Sequence, residues 1–207
     1  MGDGQPPLLR LFAFAMFACI VWFALSFLDA FRESISRPPL TAGEWVVLWA
    51  GLIVSAQVVL LVHELGHLLG GWLVGYRLQR LVVGPLTVVR DREGMHARLN
   101  RDPASYGGRV EMEGATSSNR SRTRAAVFIV MGPLASLAAG GIVTFAGLEW
   151  LSEPAVYDMG FRGFFLSRQL AVVGVGSIIV GAANLVPLTL FGRQSDGARL
   201  FVTMWDE

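Results

Sequence analysis

Val59-Leu60-Leu61-Val62-His63-Glu64-Leu65-Gly66-His67-Leu68-Leu69 decides how this chain is read. An H-E-x-x-H run, His63 to His67, sits inside one of the most hydrophobic stretches of the sequence, with apolar or small residues from Val46 to Val62 and from Leu68 to Val74. Ionisable side chains are costly in a bilayer, so such a cluster points to a functional site. On a helix, positions i and i+4 share a face, so both imidazoles can reach one zinc ion. Glu64 lies beside them and can take a proton from a bound water. The competing reading is a chance match with two buried, hydrogen-bonded histidines, which the cost of desolvation disfavours. The run therefore implies metal-assisted hydrolysis within a membrane.

Working outward, the composition agrees with that location. The 207 residues are 53% hydrophobic and only 16% charged, which indicates an integral membrane protein. The length allows one domain with a small insert. Four stretches are long and apolar enough to cross a bilayer, which takes about 20 residues: 11–28, 45–74, 125–148 and 169–191. The first reads as a retained anchor, since it is long for a signal peptide and no small-residue cleavage pattern follows closely. Arg37-Pro38-Pro39 ends it, and Thr41 with Glu44 forms a cap for the second. Glycines recur in the last three spans, which allows close helix packing in lipid. The sole cysteine, Cys19, falls in an apolar run and cannot form an internal disulfide.

Residues 76–124 have a different character. Leu81 to Val89 is rich in β-branched residues, Asp91-Arg92-Glu93-Gly94 is a turn signal, and Met95 to Leu99 alternates. This predicts a β-hairpin in which Pro85 suits an edge strand, with a short third strand near Arg109 to Met112. Ser117 to Arg124 reads as a polar linker. The expected fold is thus an all-α polytopic membrane protein of about four transmembrane helices, carrying a small β-hairpin insert between the second and third. Residues 1–207 form a single membrane-embedded domain.

Every basic residue is arginine, and ten of the 17 lie between Arg77 and Arg124. The loop after the third span holds only Arg162 and Arg168. The positive-inside rule then puts 76–124, and both termini, on the cytoplasmic side of a bacterial-type cell membrane. His63 falls about 27 Å into the second span at 1.5 Å per residue, in its cytoplasmic half. The arginines may be read either as topology determinants alone or as contacts to anionic lipid headgroups. The net charge of +1 gives no reason to expect nucleic acid as a partner.

A catalytic zinc takes three protein ligands and leaves one position open. His96 could supply the third, but it lies among arginines in the hairpin and reads better as solvated. Asp196 follows the fourth span, on the side of the motif, with Gly197 beside it to turn the backbone. The alternative for Asp196 is a helix start, Ser195-Asp196 opening a short helix through Phe201, and the residues alone leave the two readings level. Asn184 and Pro187 fall within the fourth span and Gly132-Pro133 within the third. They fit a kink with close packing, or an opening for an extended substrate beside the metal.

His63-Glu64-Leu65-Gly66-His67, Gly132-Pro133-Leu134-Ala135-Ser136, and Asn184-Leu185-Val186-Pro187 followed by Ser195-Asp196-Gly197 together resemble the site-2 protease family, over roughly residues 45–200. These are zinc metalloproteases that cut within membranes. The resemblance implies that His63, His67 and Asp196 bind Zn2+, that Glu64 is the catalytic base, and that Asn184 supports the substrate strand or transition state. It also implies a transmembrane protein or membrane-bound peptide as substrate, and likens the hairpin to the membrane-associated β element of the family, to whose edge a substrate strand could add. The chain departs from the family where Leu188 to Ser195 separate Pro187 from the aspartate, and it holds neither a PDZ nor a nucleotide-binding domain. Outside the enzyme class, a catalytically inactive metal-binding protein that escorts a partner would keep the ligands, but would have no need of Glu64. A transporter is disfavoured because the four spans show no repeat.

Overall fold

The computed structural model describes residues 40–101, 107–114, 121–151, 159–190 and 193–205. The expected first span, 11–28, lies outside these residues. Among the described residues, three long helices are apolar enough to cross a membrane: α1 (Ala42–Leu73), α2 (Arg122–Leu151) and α3 (Phe161–Leu185). A short helix, α4 (Asp196–Trp205), closes the described chain.

Local chemistry sets the ends of α1. Thr41 accepts from the Glu44 backbone N–H, and the Glu44 carboxylate accepts from Thr41 N–H at 2.8 Å, completing the expected capping box. At the other end Gly75 adopts φ 84°. Tyr76 N–H then reaches Gly71 O at 2.8 Å and Gly75 N–H reaches Trp72 O at 3.0 Å, the paired closure that a left-handed glycine permits. At 32 residues the helix is about 48 Å long, well beyond a hydrocarbon core of about 30 Å.

The packing is that of a protein dissolved in lipid. On α1 the large apolar side chains Val46, Trp49, Ile53 and Val54 point outward, each more than half exposed. Beside Leu48, Val59 and Leu68, the buried positions are polar or small, among them Ser55, His63, Glu64, Gly66, His67 and Gly70. Lipid solvates leucine as well as protein does, so small residues and hydrogen bonds hold such helices together. A Cβ on Gly66 or Gly70 would strike the Met131 turn of α2; one on Gly51 would strike Phe165 of α3; one on Gly181 would strike Pro133 and Ser136 of α2. Ser55 donates to Gln169 at 2.8 Å across the α1–α3 contact.

After Gly75 the chain forms a four-stranded antiparallel sheet, in the order β3-β2-β1-β4. The strands are β1 (Arg77–Val83), β2 (Leu86–Asp91), β3 (Gly94–Leu99) and β4 (Arg109–Glu113). The expected hairpin is present as β2 and β3 about the Asp91–Gly94 turn, and the expected third strand as β4, but the first strand is corrected. The run from Leu81 to Val89 is not one strand, because Gly84, at φ 53°, and Pro85 turn the chain between β1 and β2. Pro85 therefore occupies a turn rather than an edge strand, where its missing N–H costs the ladder nothing. β1 runs back beside α1 until Gly84 meets the Gln57 side chain, about 24 Å below the end of that helix. Leu78 and Met112 join Leu68, Tyr76, Phe128 and Ile129 in a core that fixes the sheet to α1 and α2.

The fourth span is also corrected, from 169–191 to Phe161–Leu185. Val186 is extended, at ψ 127°, as the residue before a proline prefers. Asn184 thus lies in the last turn of α3 and Pro187 lies beyond the helix, so Pro187 ends the span rather than kinking it. A two-stranded hairpin, β5 (Thr189–Leu190) with β6 (Arg193–Gln194), then leads to α4.

Candidate functional site

The inner faces of α1, α2 and α3 meet α4 where the H-E-x-x-H run lies. His63 and His67, one turn apart on α1, present their Nε2 atoms 3.2 Å from each other. Asp196, the first residue of α4, brings Oδ2 to 3.0 Å from the first and 3.1 Å from the second. All three side chains are buried, and they form a group that could hold a metal ion.

The opposite edges of the imidazoles are fixed by α2. His67 Nδ1 lies 2.9 Å from Phe128 O. A carbonyl can only accept, so Nδ1 carries the proton and Nε2 of the neutral ring presents a lone pair. His63 Nδ1 lies 3.0 Å from Ser136 Oγ, and Ser136 is fully buried. The two ring Nε2 atoms and one carboxylate oxygen thus converge within 3.2 Å. A cation held between them would satisfy the carboxylate and both ring nitrogens at once. Gly132 makes room for the arrangement, since a Cβ there would overlap the His67 ring.

Glu64 is buried beside the histidines, and Gly108, just before β4, approaches so closely that a Cβ would strike its carboxylate. Arg199, one turn along α4, lies 3.6 Å from Asp196 Oδ1. A cavity of about 860 Å³ opens here. His63, Glu64, His67, Asp196 and Arg199 line it, with Asn184 at the end of α3, Leu188 and Gln194 at the base of the β5–β6 hairpin, and Gly108 to Met112 along β4. β4 is the outer strand of the sheet on this side. Arg109 and Glu111 pair at 2.9 Å along it.

Of the residues singled out in the sequence, the structure gathers His63, Glu64, His67, Asp196 and Asn184 around one cavity, with Gly132 packed behind His67. Pro133 is fully buried inside α2, and Pro187 follows α3. His96 is elsewhere, partly exposed on β3 and 3.1 Å from Asp91. The Glu93 backbone N–H, together with His96, holds the Asp91 carboxyl below its ordinary range. Reading the sequence passed over Phe128, Gly108 and Arg199, and gave Ser136 no role. A serine three residues after Pro133, in an otherwise apolar run, was the one available signal. The carbonyl of Phe128 could leave none, because every residue has one.

The fold and site define a helical membrane protein with a buried group that could hold a metal ion. The model of peptidase family M50, the metalloprotease family of the site-2 proteases, matches residues 51–152, just under half of the chain. The matched segment contains His63, Glu64, His67 and Gly132-Pro133 and stops short of Asn184 and Asp196. No curated protein and no solved structure matches the chain.

Proposed function

We propose that the chain is a zinc-dependent intramembrane endopeptidase that hydrolyses a peptide bond in or near a transmembrane segment of its substrate. The carrying observation is the convergence of two imidazole nitrogens and one carboxylate oxygen, 3.0–3.2 Å apart, with a second carboxylate, Glu64, alongside. Around a tetrahedral zinc with bonds of about 2.0–2.1 Å, neighbouring ligand atoms stand about 3.3 Å apart, so this triangle needs little relaxation to accept one ion. His63, His67 and Asp196 would hold it. The Phe128 carbonyl and Ser136 would orient the rings, as partners on the far side of metal-bound histidines do.

Bound zinc would supply Lewis-acid polarisation of the scissile carbonyl and a water whose pKa falls towards about 7. The chain's own residues do the rest. Glu64, which need not be a ligand, takes the proton of the attacking water and returns it to the leaving nitrogen. Asn184, at the open end of α3, offers an amide to the substrate backbone. The outer edge of β4 receives the unwound substrate as an added strand and leads it past Glu64. A helical substrate must unwind first, because an intact helix turn shields its amide carbonyls within its own hydrogen bonds.

The test is Glu64→Gln in the full chain, purified in detergent and returned to liposomes with a membrane-anchored reporter. Loss of a general base costs about 10²–10⁴-fold in turnover while bound zinc stays at the wild-type level. Cleavage at the wild-type rate by the variant would overturn the catalytic assignment and leave a metal-binding, partner-escorting protein as the reading.

A further inference from the structure

Six residues, 189–194, stand between the Pro187-Leu188 pair and Ser195-Asp196-Gly197, and they set the third ligand apart from the helix that should position it. A flexible spacer of that length would leave the ligand loose. The structure closes it off instead. Thr189 pairs with Gln194 and Leu190 with Arg193. At the base of this hairpin, Ser195 N–H donates to Leu188 O at 2.8 Å. The chain thus returns to the place it left.

The Ser195 hydroxyl ties this junction together. It donates to Val186 O at 2.6 Å, accepts from Leu188 N–H at 3.0 Å and accepts from Ala198 N–H at 3.1 Å. A hydroxyl has one proton to give and two lone pairs to fill, so its capacity is complete. Only the Ala198 contact belongs to the N-cap of α4. The other two reach back across the hairpin to the end of α3, whose Val186 is almost wholly buried. On the far side of Asp196, Gly197 lies so close to Leu185 and Val186 that a Cβ would strike their backbone. Asp196 is held from both sides on the end of α3, whatever lies in the hairpin.

We propose that Ser195 is a positioning residue for the metal, setting Asp196 Oδ2 against the two histidines, and that the β5–β6 hairpin is an insertion the metal site does not need. The proposal rests on Asp196 being a ligand. It is tested on the purified full chain by competing zinc against a chromophoric chelator and by recording the cobalt spectrum, which reports ligand geometry. Ser195→Ala weakens zinc binding about 10–100-fold, the usual loss when a partner of a ligand is removed, and shifts the cobalt bands. Ser195→Gly does the same. Glycine is nearly as good an N-cap as serine, so capping alone predicts that this variant behaves as wild type. Ser195→Thr restores affinity and spectrum. Replacing residues 190–193 with Asn-Gly, which suits a two-residue hairpin turn, leaves both at wild-type values.

Wild-type affinity in Ser195→Ala or Ser195→Gly, with an unchanged cobalt spectrum, overturns the positioning role. Weakened zinc binding in the Asn-Gly variant overturns the claim that the hairpin is dispensable. Asp196→Asn separates the two levels: if it binds zinc as wild type, the ligand assignment itself fails, whereas a loss there beside a normal Ser195→Ala sinks only the positioning proposal. The melting temperature of the metal-free protein, measured for each variant, separates a displaced ligand from a chain that has not folded.

Discussion

At the scale of single residues, the site depends on groups that touch no metal. Among the described residues, Ser136 is the hydrogen-bond partner of His63 Nδ1, and it is completely buried. Ser136→Ala removes an orienting partner and is expected to lower metal affinity about 10–100-fold, read by chelator competition, with the secondary structure intact. Gly132→Ala acts by volume instead. The added methyl overlaps the His67 ring, and a displacement near 1 Å costs about 100-fold in turnover. Reporter cleavage checks this, and full activity in Gly132→Ala would mean that the ring has room the structure denies it. Much of the site could be read directly from the sequence, because the spacing of His63 and His67 is itself geometry: four residues on a helix are one turn. Asp196 was undecided between ligand and helix start because the alternatives are not exclusive. It is the first residue of α4 and also faces the histidines.

At the scale of elements, glycine decides which helices can approach. Gly70 of α1 lies against Met131 and the Val127 carbonyl of α2, whereas Gly43, in the first turn of α1, has open space around it. Gly70→Val forces these helices apart at about 1–3 kcal/mol, seen as a lower melting temperature in detergent. Gly43→Ala is expected to be neutral, or to stabilise by up to about 1 kcal/mol through helix propensity. Equal effects of the two would show that packing at Gly70 is looser than it stands. The long helices were legible because a stretch that must satisfy every backbone group inside lipid can hardly be anything else. The sheet was less so. Gly84-Pro85 sits inside a β-branched run that reads as continuous strand, and the turn there is selected by tertiary contact: Gly84 must adopt a positive φ while fitting against Gln57. The end of the last long helix was misjudged for a related reason. Apolar residues continue through Phe191, but Pro187 forces Val186 out of the helical region, and backbone sterics outrank hydropathy at that point.

For the whole molecule, the consequence is a direction. α1 and α3 end, and α2 begins, at the end of the bundle that carries the sheet and the His63, His67 and Asp196 group, because Leu73, Leu185 and Arg122 all lead into or out of that end. Met159 and Gly160, before α3, lie at the other. Arginines from Arg77 to Arg109 crowd the sheet end, and on the positive-inside rule we propose that the sheet faces the cytoplasm. The chain offers a convenient test, since Cys19 is its only cysteine and Cys19→Ser gives a background free of thiols. In that background Glu93→Cys, in the exposed turn between β2 and β3, is expected to react with a membrane-impermeant maleimide only after cells are opened. Met159→Cys, 40% exposed at the opposite end, should react in intact cells. The reversed pattern would put the site on the outer side, where water and substrate reach it from the other compartment. Labelling of both positions from one side would mean that the three helices do not cross the membrane in alternation.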